Sequence, residues 1–421
     1  MRRVDRDVIV AGAGPAGIGT AVAAVRSDPS LRGRILVLDR ARFPRSKPCG
    51  GGLTGHIDEA LLHLGLALTV PSFASPRAIV RYGDYRREVT LEKPVRTVRR
   101  EAFDASLVDQ ARAMGIEVRE GSGVTGFRVE GEGVAVETKE GPLYARILVG
   151  ADGAGSVVRK SFEGRAASQE ARDQREGGGG LEAPRARPIR LFRAELPDRG
   201  WHREEMLYDF TPMLDGVRGY LWIFPVPGGL LNVGIMHDPS LPHTGAELVA
   251  LLGSHWRVHG ISLAGAQLRG WPAWGYRPSQ KVSAPHLLTV GDAAGIDGLT
   301  GEGIAVALEQ GLIAGRAIAS ALSSGSFGFR GYRFALARAN VGRELALDGM
   351  LARMLYGGHD YRRWLSLVLY DDEMLGMYAA RVSGSMVLSN HPLALGRALV
   401  RHLMYGRSRM RSLRAVEPRA A

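Results

Sequence analysis

The sequence predicts an α/β fold in which a Rossmann-like parallel-sheet domain carries an inserted antiparallel β-sheet and a helical C-terminal region. Three observations predict it. DVIVAGAGPAGIGTAVAAV, from Asp7 to Val25, reads as buried strand, tight glycine turn and helix. RILVLDR, from Arg34 to Arg40, is the next buried strand, and the two make a β-α-β unit. IRLFRAEL, EMLYDF, GYLWIFPV and LLNVGIM then read as strands of a second sheet, and the pattern beyond them ends in helices rich in arginine.

The remaining elements follow in chain order. A helix is expected from His56 to Leu66. AIVRYGDYRREVTL alternates around a Gly83-Asp84 turn, as a β-hairpin does. REAFDASLVDQARAMG, Arg100 to Gly115, has apolar residues at helical spacing and a terminal glycine as cap. Short strands follow and close on RILVGADG. Glu163 to Pro188 is polar and glycine-rich, an excursion from the fold. HLLTVGDAAGIDGLTGEGI, from His286, returns to strand and glycine loop before a long helix. These readings divide the chain into a discontinuous cofactor domain (1–70, 100–160 and 281–330), a substrate domain (71–99 and 161–280) and a helical region (331–421).

Composition narrows the function. The chain of 421 residues holds one cysteine, which leaves no disulfide framework and no cysteine-cluster metal site. No histidine spacing suits a metal ligand set, so none is expected. No secretory signal precedes the first strand and no apolar run approaches a spanning length, so a cytoplasmic protein is expected. The net charge of +12 comes largely from scattered arginines with no nucleic-acid motif, which sets nucleic acid aside. The arginines near the C-terminus alternate with Leu395, Leu399, Leu403 and Met404. That pattern suits either an ordinary basic terminal helix or peripheral contact with an anionic membrane.

Gly12-x-Gly14-x-x-Gly17 follows a strand, opens a helix and precedes Asp39 at the end of the next strand, the context of a dinucleotide fingerprint. The glycines permit the turn and let a pyrophosphate approach the helix start near Ala16. Asp39, with Arg40 beside it, is placed for a ribose hydroxyl. The fingerprint serves NAD or FAD alike. Two later segments favour FAD. One is Asp152-Gly153 after a strand. The other is Asp292 with Gly301-Glu302-Gly303 and Ile304, which sets an acid by ribityl hydroxyls and a helix start beneath the flavin ring.

The three segments in this order resemble FAD-dependent oxidoreductases of the p-hydroxybenzoate-hydroxylase type. That resemblance implies that Arg100 reaches the FAD and that Val124 meets its adenine by the backbone. Within that superfamily, Phe43-Pro44-Arg45-x-Lys47-x-Cys49-Gly50-Gly51-Gly52 and Tyr220-x-Trp222-x-Phe224-Pro225 resemble the signatures of the geranylgeranyl reductase family. The likeness implies that Cys49 and Gly50 lie beside the flavin, and that Tyr220, Trp222 and Phe224 border a lipid cavity. Each has a plainer reading, as a small packed thiol and as a strand apolar on both faces. Lys47, Arg45 and Arg42 suit a diphosphate, the FAD phosphates or solvent equally.

Two positions depart from the family pattern, Val217 and Gly298, where relatives carry proline; the second is expected to loosen a loop beside the ring. The activity implied is reduction of an isoprenoid carbon–carbon double bond by reduced FAD, recharged by NADPH or reduced ferredoxin. The alternatives are a flavin monooxygenase or halogenase of a secondary pathway, and a flavoprotein that binds lipid without turnover.

Overall fold

The computed structural model describes residues 4–163, 188–201, 203–238, 245–358 and 360–415. The glycine-rich Glu163–Pro188 excursion lies almost wholly outside the described residues. The fold is the α/β architecture expected: a parallel sheet, a largely antiparallel second sheet and a C-terminal set of helices.

The first sheet is built on β1 (Arg6–Ala11), which pairs in parallel with β2 (Ile35–Asp39) and β9 (Gly141–Gly150). β6 (Glu117–Glu120) extends the parallel run beyond β2, and β16 (Leu287–Thr289) extends it beyond β9. β7 (Val124–Glu130) and β8 (Gly133–Thr138) form an antiparallel meander that joins β9 at its start. β2 is buried along its whole length, as a strand covered on both faces must be.

Helix α1 (Pro15–Ser27) packs on this sheet against α5 (Ile304–Ser324). The contact is backbone-close. A Cβ on Gly311 would lie 2.8 Å from the Thr20 amide, and one on Gly315 would lie 2.4 Å from the Ala23 Cβ. By length and hydropathy α5 is the one described helix apolar enough to cross a membrane, but it is mostly buried inside the fold, where the small residues of both helices meet. Its apolar character is that of a core helix.

The second sheet runs in the order β14 (Arg269–Ala273), β10 (Ile189–Pro197), β13 (Leu230–His237), β12 (Gly219–Val226), β11 (Met206–Asp209), β4 (Ser72–Tyr82), β5 (Tyr85–Val98) and β3 (Gly52–Leu53). β4 and β5 form the expected hairpin, turning at Gly83-Asp84 with Tyr82 opposite Tyr85. β12 is buried on both faces. Leu221 and Ile223 pack with Trp201 and Trp256, the latter on α4 (Gly245–Val258). Tyr220, Trp222 and Phe224 face the other way, into a core shared with Leu355, Tyr361 and Leu365 of the C-terminal helices.

Those helices are α6 (Tyr332–Arg338), α7 (Asn340–Tyr356), α8 (Tyr361–Tyr370), α9 (Asp372–Val382) and α10 (Pro392–Ala415). Arg381 of α9 is buried and donates to Glu344 at 2.7 Å and to Asp348 of α7. On α10, Leu393, Val400, Leu403 and Met404 are exposed beside Arg397, whereas Arg401 turns inward to Asp371 and Glu373. The remaining arginines of that helix lie outside the described side chains. The helices expected at 56–66 and 100–115 are α2 (His56–Leu64) and α3 (Arg100–Ala113), the latter followed by Gly115 at φ +81°.

Candidate active site

The glycine turn after β1 is forced by contact. Gly12 has φ +106°, and a Cβ there would stand 2.3 Å from the Ala151 carbonyl oxygen. A Cβ on Gly17 would strike the Gly12 carbonyl at 1.8 Å. The Gly12 turn thus lies directly on the Asp152-Gly153 segment, and Gly291 (φ +64°) presses on Ala16 from the third segment. The three stretches, some 140 residues apart in each case, converge on one crevice.

The residues fit FAD on their own geometry. Helices α1 and α5 both begin at a glycine, Gly14 and Gly303, with no side chain capping the first amides. Asp152 is half-buried, and its desolvation raises its pKa; its Oδ1 is buried with no hydrogen-bond partner, while Oδ2 accepts from the Val157 amide at 3.0 Å. Lys47 Nζ stands 3.5 Å from Asp292 and close to Gly153. Two open helix ends and glycines where a Cβ would intrude make a cradle for an extended dinucleotide.

Asp39 already accepts from the Ala13 amide at 2.9 Å and the Ala41 amide at 2.8 Å, so it organises the turn as well as facing the crevice. Arg40 is exposed, and a Cβ on Gly123 would lie 2.8 Å from the Arg40 Cβ, which brings the start of β7 and Val124 to the end of β2. Arg100 is buried and grips Asp104 with both Nε and Nη2, at 2.8 and 2.9 Å. Arg45 adds a contact to Asp104 at 3.2 Å and lies beside Gly14.

Arg100 is coupled electrostatically to Cys49 as well as to Asp104. Burial works against its charge, but Asp104 and Cys49 more than offset that and hold its pKa above the ordinary value. Cys49 is half-buried, and its Sγ accepts from the Gly51 amide at 3.4 Å. The glycines beside it have separate causes. A Cβ on Gly50 would lie 3.3 Å from the Phe224 ring, and Gly51 has φ +76° with the Val98 carbonyl where its Cβ would be. Gly52 has ordinary room and begins β3, which pairs with β5 and docks the loop on the second sheet.

The aromatic strand holds the loops of the site by its polar atoms. The Trp222 indole donates to Asn232 Oδ1 at 2.9 Å, and Asn232 Nδ2 donates to the Cys49 carbonyl at 2.8 Å. The Tyr220 hydroxyl donates to the Thr300 carbonyl, and Tyr356 donates to that of Leu299 at 2.9 Å. Tyr208 and Phe210 continue the ring series against Tyr220 and Phe224, with centroids 5.2–5.7 Å apart. Tyr220, Trp222 and Phe224 are each buried, so the strand is part of the core.

The expected looseness at Gly298 is corrected by its neighbours. Asp297, fully buried, accepts from the Leu299 amide at 2.6 Å and from both the amide and the hydroxyl of Thr300. The Tyr220 and Tyr356 bonds hold the same turn from outside. Gly301 (φ +74°) then carries the chain past Met236, and Glu302 accepts from Thr54. Sequence reading passed over Asp104, Asn232 and Asp297, although all three are polar residues inside apolar runs or glycine turns, which is a signal of a buried hydrogen-bond duty.

A family model described as FAD binding domain matches residues 5–181. The digeranylgeranylglycerophospholipid reductase 2 of Methanopyrus kandleri is 30% identical over 342 residues, covering 75% of this chain and 77% of that protein. A menaquinone reductase of Mycolicibacterium smegmatis is 28% identical over 335 residues, 75% of this chain and 76% of that one. A geranylgeranyl bacteriochlorophyll reductase-like structure from Thermoplasma acidophilum superposes with a TM-score of 0.69 at 20% identity, covering 92% of this chain and 98% of its own. Flavin-dependent halogenases are among the solved structures that share the fold. With its dinucleotide crevice, its cysteine loop and its aromatic strand, the chain belongs to the geranylgeranyl reductase family of FAD-dependent oxidoreductases.

Proposed function

We propose that this oxidoreductase reduces carbon–carbon double bonds of an apolar isoprenoid. One observation carries the reading: the loop of the half-buried Cys49 is tied by its carbonyl through Asn232 to a buried aromatic strand, with Gly50 against the Phe224 ring. Gly12, Gly14, Ala16 and Gly17 would hold the FAD pyrophosphate, and Asp39, Arg40 and Val124 its adenosine end. Arg100, Asp152, Gly153 and Asp292 would line the middle of the cofactor. Gly301, Gly303 and Ile304 would lie under its ring. FAD held there would, when reduced, supply the hydride for one alkene carbon.

The chain's own residues do the rest. Cys49 Sγ gives its proton to the other carbon, and Arg100 stabilises the negative charge left on sulfur until solvent returns a proton. Gly50 leaves room for the reacting atoms beside the Phe224 ring. Tyr220, Trp222 and Phe224, with Tyr208, exclude water and orient a flat apolar substrate. One dinucleotide fingerprint serves the FAD, so electrons come from an external donor, NADPH or reduced ferredoxin. The exposed apolar residues of α10 beside Arg397 favour resting on an anionic membrane surface, where an isoprenoid lipid would be met.

The test is anaerobic. Photoreduced holoenzyme is mixed with geranylgeranyl diphosphate, or with an unsaturated prenyl ether lipid in detergent, and flavin absorbance is followed with mass analysis of the product. Reoxidation with a gain of about 2 Da for each bond reduced is expected, since a hydride and a proton are added. A flavin that stays reduced with both substrates and reoxidises on admission of oxygen, with an oxygenated or halogenated product, would assign oxygen chemistry instead.

A further inference from the structure

We propose that Asn232 is a positioning residue, which sets the cysteine loop by coupling the Trp222 indole to the Cys49 carbonyl. The inference rests on the reading of Cys49 as the proton donor.

The geometry is specific. Asn232 is 2% exposed and lies opposite Phe224 across the β12–β13 ladder, so its side chain emerges on the aromatic face. Each end of its amide has one partner: Oδ1 takes the indole proton of Trp222, and Nδ2 gives a proton to the backbone of Cys49, 183 residues away. The indole reaches Asn232 because residue 234 is glycine; a Cβ there would lie 2.1 Å from the Trp222 ring. The thiol in turn depends on that backbone, since its Sγ accepts from the Gly51 amide two residues on. A substrate that presses on the aromatic wall therefore acts on the thiol through three hydrogen-bonded groups. No other hydrogen bond links β13 to the cysteine loop among the described residues.

The single cysteine makes the test direct, because any alkylation of the chain reports on Cys49. Three variants divide the strut. Asn232→Asp keeps an acceptor for Trp222 and removes the donor to Cys49. Asn232→Leu removes both, and Trp222→Phe leaves the Asn232–Cys49 bond alone. Oxidised, FAD-loaded proteins are treated with iodoacetamide, and the same preparations are assayed anaerobically.

Asn232→Asp and Asn232→Leu are expected to speed alkylation about tenfold and to lower kcat by about 10- to 100-fold, the cost of misplacing a reacting group by roughly an ångström. KM and FAD content should stay near wild type, and Trp222→Phe should fall between. A merely structural role would lower thermal stability without moving the thiol rate. Alkylation within about twofold of wild type in FAD-loaded Asn232→Asp would overturn the proposal; the near-isosteric carboxylate guards against a Leu variant that fails to fold. If the wild type reduces no isoprenoid, the functional reading falls on its own while the alkylation arm still decides the strut.

Discussion

At the scale of single residues, contact distances decide where glycine is obligatory. Gly12 combines φ +106° with a carbonyl oxygen 2.3 Å from its missing Cβ, and no side chain satisfies both. Gly12→Ala would have to push Ala151 away, and with it the neighbouring Asp152-Gly153 segment. The expected result is purified protein with most of its flavin lost and a destabilisation of about 1–3 kcal/mol, the usual cost of a strained backbone site. The ratio of flavin to protein absorbance and the thermal midpoint check it; stoichiometric flavin in the variant would show that the turn does not bear on the cofactor. Gly50 and Gly51 are required for other reasons, a ring face and a carbonyl. Two adjacent glycines in one string thus answer to different neighbours, and the third, Gly52, has ordinary room.

At the scale of elements, the α1–α5 crossing holds the two cofactor-facing helix ends in register. Gly311 and Gly315 stand one turn apart on α5 and let the α1 backbone approach. A leucine at 315 has no space beside Ala23, so Gly315→Leu should cost about 1–3 kcal/mol or more by overpacking. Gly376, on α9, has nothing within 4 Å of its absent Cβ. Gly376→Ala should therefore be neutral or stabilising by up to about 1 kcal/mol through helix propensity. Urea midpoints of the two variants test the contrast. Equal effects would mean that the helix crossing adapts freely and does not set the site.

At the scale of the whole molecule, α2, α5 and the C-terminal helices meet over a cluster of acids. Glu309 of α5 lines a small cleft with His56, Glu302, Glu344 and Arg381. Burial, then the charges of Glu302, Glu59 and Glu344, raise its pKa from 4.5 to about 8, with Arg381 opposing. The folded state therefore holds a proton that the unfolded chain releases above pH 4.5. The stability contributed by the neutral acid is present below pH 4.5 and is lost as pH rises to about 8. Glu309→Gln removes this dependence. Its Tm should exceed that of wild type at pH 8.5 and the gap should close toward pH 5, as calorimetry at both values would show. A gap independent of pH would mean that Glu309 ionises normally.

The β-α-β unit, the glycine turn, the hairpin at Gly83-Asp84 and the aromatic strand were legible in the sequence, because each depends on neighbours within a few residues. Hydrophobic period, turn chemistry and motif spacing are local quantities. The same sequence left Trp222 open between core and cavity wall, and it misjudged Gly298, whose loop is held by Asp297, Tyr220 and Tyr356. It was silent on Asp104, Asn232 and Glu309. Their roles come from partners brought in by packing: Arg45 of the cysteine loop joining Arg100 at Asp104, the carbonyl of a loop 183 residues away at Asn232, an acid cluster gathered from three helices and a loop at Glu309. A buried polar group takes its character from whatever desolvates and pairs it. Those neighbours are chosen by the packing of sheet on sheet and helix on helix, so the sequence alone determined the cofactor fold and its motif positions, and the tertiary structure decided which side chains hold the cysteine loop.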